Sequence, residues 1–281
     1  MNMEWWHHLI ALLPFEWAQF EFMRNALLGI IMAAPLLAWL GCLVIGNQMA
    51  FFSEAIGHAS LTGIALGVLL GMGSPMAAML VFAVVLAVSI TLMRRYSTVS
   101  TDTIISLVMS FTVALGVVLL SRGGSFSRFT GFLIGDILTV TGRELGWMAV
   151  VAAVVTIIGI FLFNRMFLVG LNRPLARSRG EPDLLIEMIF AALVAVTVTV
   201  SIPWIGLLVI NSMIILPAAT ARNLARTMRH YVCGAVVVSL VAGMGGLIGS
   251  YYWATATGAT IVICAMALFL VSIVIRRIAR F

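Results

Sequence analysis

The sequence predicts an all-α integral membrane protein with about nine transmembrane helices in one compact bundle. Hydrophobic residues make up 63% of the 281 residues, and charged residues only 9%. A soluble core of this length does not need so many apolar residues. Runs of about 20 apolar residues, each long enough to cross a bilayer, recur along the whole chain. Nothing indicates a second, soluble domain, so residues 1–281 are expected to form a single transmembrane domain.

The expected spans follow the apolar runs, and polar loops or tight turns separate them. The spans are expected at residues 22–45, 48–71, 75–93, 104–121, 145–168, 184–201, 204–221, 231–253 and 259–275. Tight turns are expected at Gly46-Asn47, Gly71–Pro75 and Ser201–Trp204, where turn-forming residues interrupt the apolar pattern.

Two further segments are not expected to span. Residues 1–20 carry Trp5, Trp6 and Trp17 between acidic residues, which indicates an interfacial segment at the level of the lipid headgroups. The stretch Phe129–Leu138 is too apolar for solvent and too short to cross a bilayer. It predicts a short helix that is packed on the outer side or is re-entrant.

The distribution of arginine predicts the orientation. If nine spans alternate, twelve of the 16 basic residues fall on one side, and only Arg24, Arg122, Arg128 and Arg143 fall on the other. Basic residues concentrate on the cytoplasmic side of membrane proteins. The N-terminus is therefore expected outside and the C-terminus in the cytoplasm.

The same 16 basic residues exclude one class of enzyme. All of them are arginine, and the sequence contains no lysine. An ATPase of the P-loop class needs a lysine on the phosphates. The chain is therefore not expected to be an enzyme, and any ATP hydrolysis that drives it must occur on a separate subunit. Its net charge of +6 is spread over the loops of a membrane protein and does not indicate nucleic-acid binding.

Glu54 and His58 are the candidate functional residues. They lie four positions apart in an apolar stretch, so they share one helix face. A charged group at the centre of a bilayer costs about 2.5–3.5 kcal/mol on insertion scales, so such residues mark functional sites. Carboxylate and neutral imidazole are both good ligands for zinc and for similar divalent metals.

Two interpretations of this pair stay open from the residues alone. One Glu and one His do not complete a metal site, but two copies of the chain about a two-fold axis would supply four ligands, which suits tetrahedral zinc. Manganese would need additional oxygen ligands. The alternative is a structural hydrogen bond inside the bundle, because polar side chains between membrane helices often only hold helices together.

Three more polar residues are candidates for a pathway or for its support. Asp102 opens the fourth span beside Thr101, where capping of the helix by Thr101 is favoured over a role in metal exit. Asn211 and Ser212 lie in the middle of the seventh span. Interhelical hydrogen bonding is favoured for them over lining a pathway.

Four stretches together identify a family. They are Ser53–Gly63, Ser100–Ser106 followed by Ala114–Gly116, Gly131–Leu138, and Val209–Arg222. Through them the chain resembles, from about Phe15 to Ile275, the permease subunits of bacterial ATP-binding-cassette (ABC) importers for zinc, manganese or iron. The high-affinity zinc uptake permeases belong to this group.

The resemblance implies a complex in the bacterial plasma (inner) membrane. It implies a homodimer of permeases, two ABC ATPase subunits below it and an extracytoplasmic metal-binding protein, with no permanently bound cofactor. Glu54 and His58 take the positions where the family contacts metal in transit, although the family usually has Asp where Glu54 stands. Residues 171–187 take the place of the cytoplasmic coupling segment. The residues expected to couple to the ATPase are Leu171, Arg173, Leu175, Ala176, Arg177 and Gly180.

The expected function is import of a divalent metal by alternating access, with zinc first and manganese or iron as alternatives. A secondary transporter driven by an ion gradient would be expected to show inverted repeats and broken helices, and neither is clear. An intramembrane metalloenzyme is the third class, and the chain has no His-Glu-x-x-His motif.

Overall fold

The computed structural model describes residues 15–123 and 135–278, which contain helices and no strand. The α-helices are α1 (Glu21–Gly46), α2 (Phe52–Leu69), α3 (Pro75–Tyr96), α4 (Thr101–Gly123), α5 (Gly142–Leu171), α6 (Arg173–Ser178), α7 (Asp183–Ile205), α8 (Leu207–Leu224), α9 (Met228–Trp253) and α10 (Thr257–Ile278). Within the described ranges, nine of them are long and apolar enough to cross a membrane, and α6 is the short one. The predicted fold class is confirmed.

Both non-spanning segments fall largely outside the described residues. Of the interfacial segment predicted for residues 1–20, the structure describes a short 3-10 helix at Glu16–Gln19, in which Trp17 is buried. Of the segment Phe129–Leu138, it describes only residues 135–138. There the Asp136 carboxylate accepts a hydrogen bond of 3.0 Å from the Leu138 N–H and caps a second 3-10 turn.

Helix α7 corrects one predicted turn. The segment Ser201–Trp204 is helical, and α7 runs through Pro203 to Ile205. Proline is tolerated inside membrane helices, where local adjustments satisfy the freed carbonyl. The break comes at Gly206 instead, whose φ of 85° lies in a region that residues with a Cβ rarely adopt.

The turn between α1 and α2 shifts the start of the second span. Gln48 has a φ of 56°, and the Met49 N–H donates back to the Val44 carbonyl at 3.0 Å. A left-handed residue followed by such a bond ends a helix, and glycine usually occupies that position. Helix α2 therefore begins at Phe52 and not at residue 48.

The described residues fall into two compact units. The first comprises residues 15–42, 135–154 and 203–278, and its helices α8, α9 and α10 pack on one another. In this unit the Ser239 hydroxyl of α9 donates to the Ala34 carbonyl of α1 at 2.9 Å. The second comprises residues 43–123 and 155–202, and in it α2 packs on α3 and α4. That residues 1–281 act as a single transmembrane domain stays a prediction.

Candidate functional site

Helix α2 is buried on all sides but one. Twelve of its 18 residues are buried. Of the other six, five lie on one side at 3.6 residues per turn: Glu54, His58, Leu61, Val68 and Leu69. The sixth, Leu66, is half-buried and lies off that side. The candidate residues therefore sit on an open face, polar at its N-terminal end and apolar at its C-terminal end.

Close contacts with neighbouring helices fix the rest of α2. The Thr62 hydroxyl donates to the Thr112 carbonyl of α4 at 2.6 Å. A Cβ on Gly63 would lie 3.0 Å from the Met79 Cα of α3, and a Cβ on Gly116 of α4 would overlap the Thr62 hydroxyl. Small residues that allow such close approach are typical of packed membrane helices. They set the direction in which Glu54 and His58 point.

Within the residues that the structure describes, the pair does not form a closed site. Among the residues that the structure describes, no group of three or more His, Cys, Asp or Glu side chains is placed to hold a metal ion. Glu54 also lies in the first turn of α2, because the helix begins at Phe52, four residues later than predicted. The positive end of the helix dipole favours a carboxylate there. The cost of burying Glu54 is therefore lower than for a central charge.

Asp102 lies in the first turn of α4 and is exposed. Thr101 was predicted to cap this helix, and that prediction is wrong. Its hydroxyl accepts a hydrogen bond of 3.2 Å from Arg94 Nε. The cap is Ser100, whose hydroxyl accepts from the Thr103 N–H at 3.3 Å.

Asn211 and Ser212 lie on α8, in the first unit. The Ser212 hydroxyl donates to the Leu208 carbonyl of its own helix at 2.8 Å, so the predicted bond between helices is wrong for this residue. The Asn211 Oδ1 atom is buried and has no hydrogen-bond partner in the described part of the chain. A role of either residue in a pathway stays a prediction.

The predicted coupling segment contains a short helix, α6. The Asn172 side chain caps it by accepting from the Leu175 N–H at 3.0 Å, and Pro174 occupies its first turn. Asparagine at the cap and proline just inside the start are preferred at helix N-termini. The segment turns away after α6 at Gly180, with a φ of 73°.

Ion pairs tie α6 to the start of α7. Arg173 Nε lies 2.6 Å from a Glu187 carboxylate oxygen, close in distance although not aligned as a hydrogen bond. Arg177 donates two hydrogen bonds, of 2.9 and 2.7 Å, to the Asp183 carboxylate. These bonds raise the pKa of the exposed Arg177 guanidinium. Arg95 of α3 approaches the same carboxylate at 3.6 Å.

The two faces of α6 differ. Ala176 is fully buried against the protein, whereas Pro174, Leu175, Ser178 and Arg179 are exposed. Of the six predicted coupling residues, Arg173 and Arg177 are engaged within the chain, and Leu175 presents an apolar side chain to solvent with 41% exposure. Helix α6 is therefore held in one orientation by its ion pairs and exposes its outer face.

Comparison with known proteins decides the family. The model of the ABC 3 transport family matches residues 19–276. The chain belongs to this family. It is 31% identical to the high-affinity zinc uptake system membrane protein ZnuB of Haemophilus influenzae, over 90% of this chain and 97% of that protein. It is 30% identical to the manganese import system permease protein ScaB of Streptococcus parasanguinis, over 90% of each chain.

A solved structure supports the same assignment. The structure of PsaBC from Streptococcus pneumoniae in complex with Fab matches 90% of this chain and 91% of its own, with a TM-score of 0.77 and 28% identity. The predicted family and function, the permease subunit of an ABC importer of metal ions, are thereby confirmed. The chain is a multi-pass plasma-membrane protein and a transport subunit, and ATP hydrolysis belongs to separate subunits.

The structure adds residues that the sequence reasoning missed. Arg94 was counted only for orientation, yet its guanidinium holds the turn before α2. Glu187 and Asp183 were not among the candidate residues, yet they orient α6. The helix start at Asn172 carried a local signal, an asparagine followed by a proline. The partners of Arg94 in the turn before α2 lie 45 and 47 residues away in sequence, so no local sequence signal indicated them.

Proposed function

We propose that the chain imports zinc through a site shared by two copies of itself. Each copy contributes Glu54 and His58. The observation that carries the proposal is the open face of α2, which presents both ligands on a helix otherwise packed into the protein. An open polar face on a membrane helix must meet protein or water, because lipid offers it no partner. A second α2, related by a two-fold axis, meets that requirement.

The ligand chemistry favours zinc over the alternatives. Two carboxylates and two imidazoles complete a tetrahedral set, which zinc prefers. Manganese and iron remain the alternative substrates, since relatives named for zinc, manganese and iron match this chain at 31%, 30% and 27% identity. Among the described residues of one chain no third ligand joins the pair, which suits a carrier, because a closed site would hold its ion too tightly to release it.

The proposed cycle is alternating access. An extracytoplasmic binding protein delivers the metal to the dimer, and two ABC ATPase subunits dock on α6 from the cytoplasm. ATP-driven movement of α6 changes which side of the shared site is open. The free outer face of α6, with Leu175 exposed and Arg177 held by Asp183, supports a docking role.

Crosslinking tests the shared site. In a chain whose Cys42, Cys233 and Cys264 are replaced by Ala, Leu61→Cys is expected to form a covalent dimer on mild oxidation, because Leu61 lies on the open face one turn from His58. Val85→Cys, exposed on α3, is the matched control and is expected to stay monomeric. Equal crosslinking at both positions would contradict the proposed two-fold contact.

Uptake into vesicles tests the substrate. The permease, reconstituted with its ATPase and binding protein, is expected to accumulate zinc faster than manganese or iron at equal free concentration, and only with ATP. Faster manganese uptake would replace zinc by the alternative. Uptake without ATP would favour a secondary transporter.

A charge on the outer face of α6 is expected to uncouple the ATPase. Leu175→Asp puts a carboxylate where a docking partner would bury an apolar side chain, at a cost of several kcal/mol in an apolar contact. The ATPase is expected to be lost when the permease is purified by affinity tag. Val99→Asp, an exposed apolar residue in the loop before α4, is the control. Full retention of the ATPase by Leu175→Asp would contradict docking at α6.

A further inference from the structure

The turn that leads into α2, residues 47–51 and here called the site turn, is held by one arginine. Arg94, at the end of α3, donates from Nη1 to the Met49 sulfur at 2.9 Å and from Nη2 to the Asn47 carbonyl at 3.4 Å. Its Nε donates to the Thr101 hydroxyl at the start of α4. The planar guanidinium presents several donors in a fixed arrangement, which lysine cannot reproduce. The start of α2 is thus tied to α3 and α4.

The end of α5 also packs closely against the site turn. The Asn47 side chain is buried and donates to the Leu43 carbonyl at 2.8 Å. A Cβ on Gly170 would lie 2.8 Å from its Nδ2 and 2.9 Å from its Oδ1, so any side chain there would have to displace the Asn47 amide. Two residues after Gly170, Asn172 caps α6. A displacement of α6 therefore acts on Asn47 with almost no intervening chain.

We propose that the site turn is the link through which movement of α6 reaches Glu54, with Arg94 and Asn47 as its positioning residues. The inference rests on the proposed function, in which ATP-driven movement of the ATPase subunits displaces α6 and Glu54 binds the metal. Glu54 lies in the first turn of α2, three residues beyond the site turn, so a shift of the turn changes the direction of the carboxylate. Neither positioning residue needs to touch the metal.

The test measures metal moved per ATP hydrolysed in vesicles that hold the whole complex. Gly170→Ala is expected to lower this ratio by about fivefold or more, the lower end of typical coupling between sites. Asn47→Ala/Gly170→Ala removes the amide that the new methyl group would meet, and is expected to restore the ratio to that of Asn47→Ala alone. Arg94→Lys keeps the charge but loses the fixed donors, and is expected to lower the ratio. Arg229→Lys, at an exposed arginine at the start of α9, is the control and is expected to leave it unchanged.

The outcomes separate the link from simple misfolding and from the proposed site. Melting temperatures in detergent are compared for all variants, and a ratio that falls without a fall in melting temperature supports the link. An unchanged ratio in both Gly170→Ala and Arg94→Lys would overturn it, as would failure of Asn47→Ala to rescue Gly170→Ala. If uptake survives Glu54→Ala/His58→Ala while Gly170→Ala still lowers the ratio, the metal site is wrong and the link stands.

Discussion

Replacing both Glu54 and His58 by alanine is expected to abolish zinc uptake by the reconstituted complex. In the proposed dimer the double substitution removes all four ligands of the shared site at once. The loss is expected to exceed about 100-fold, since removing even the outer partners of metal ligands typically costs 10–100-fold in affinity or activity. The measurement is the initial rate of ATP-dependent zinc accumulation in vesicles.

Single substitutions at Glu54 distinguish the effect of its charge from the effect of its side-chain length. Glu54→Gln keeps the size of the side chain and removes the charge, so it is expected to lose most of the uptake. Glu54→Asp keeps the charge but shortens the side chain by one methylene, so uptake is expected to persist with a changed ratio of zinc to manganese. Metal preference therefore reports on the geometry of the carboxylate and not only on its presence.

The control must exclude a structural role of the pair. If Glu54 and His58 only stabilised the protein, uptake and melting temperature would fall together. Because both side chains lie on an open face, the double alanine variant is expected to insert and melt like the wild type. Val85→Ala, at an exposed position of α3, gives the baseline for a neutral truncation. A normally inserted double variant with wild-type uptake would contradict the site.

The fold class could be predicted from the sequence because lipid leaves few alternatives. A bilayer requires every backbone polar group to be satisfied within the span, so long apolar runs become helices. The boundaries were less predictable where the backbone departs from local preference. Gln48 takes a left-handed conformation that glycine usually adopts at the end of a helix. Because no glycine marks this position, the sequence did not indicate that α2 starts at Phe52. Pro203 looked like a turn residue but lies within α7.

The candidate site was predictable only in part. The spacing of Glu54 and His58 places them on one face of any helix. That this face is the open one depends on contacts between α2 and its neighbours, such as Thr62 with Thr112, 50 residues apart. The hold of Arg94 on the site turn is likewise a long-range contact. Residue type and local spacing carry no information about such partners.

A substitution in α9 is expected to have the second large effect, on the stability of the protein. Gly246→Ala is expected to destabilise the protein because an added Cβ would overlap the Ile261 Cα and lie 2.7 Å from its backbone nitrogen. Overpacking in a well-packed core typically costs about 1–3 kcal/mol and occasionally more. The clash is with backbone, so no side-chain rotation relieves it.

The connection between α9 and α10 prevents the helices from separating. Only the residues 254–256 join them, with Ala254 at a φ of 50°. The Ser250 hydroxyl donates to the Thr257 hydroxyl at 3.1 Å across this turn. Because α10 is tied so close to Gly246, it cannot move away from a new methyl group without breaking these contacts.

The neighbouring glycine supplies the matched control. Gly245 is exposed, and a Cβ there would meet nothing within 4 Å. Alanine is favoured over glycine inside a helix by up to about 1 kcal/mol, so Gly245→Ala is expected to leave stability unchanged or to raise it. The two variants add the same methyl group at adjacent positions of one helix, so their difference in thermal midpoint in detergent isolates the contact with Ile261. Equal midpoints for the two variants would mean that α9 and α10 do not pack at Gly246, since hydropathy and helix propensity are the same for both.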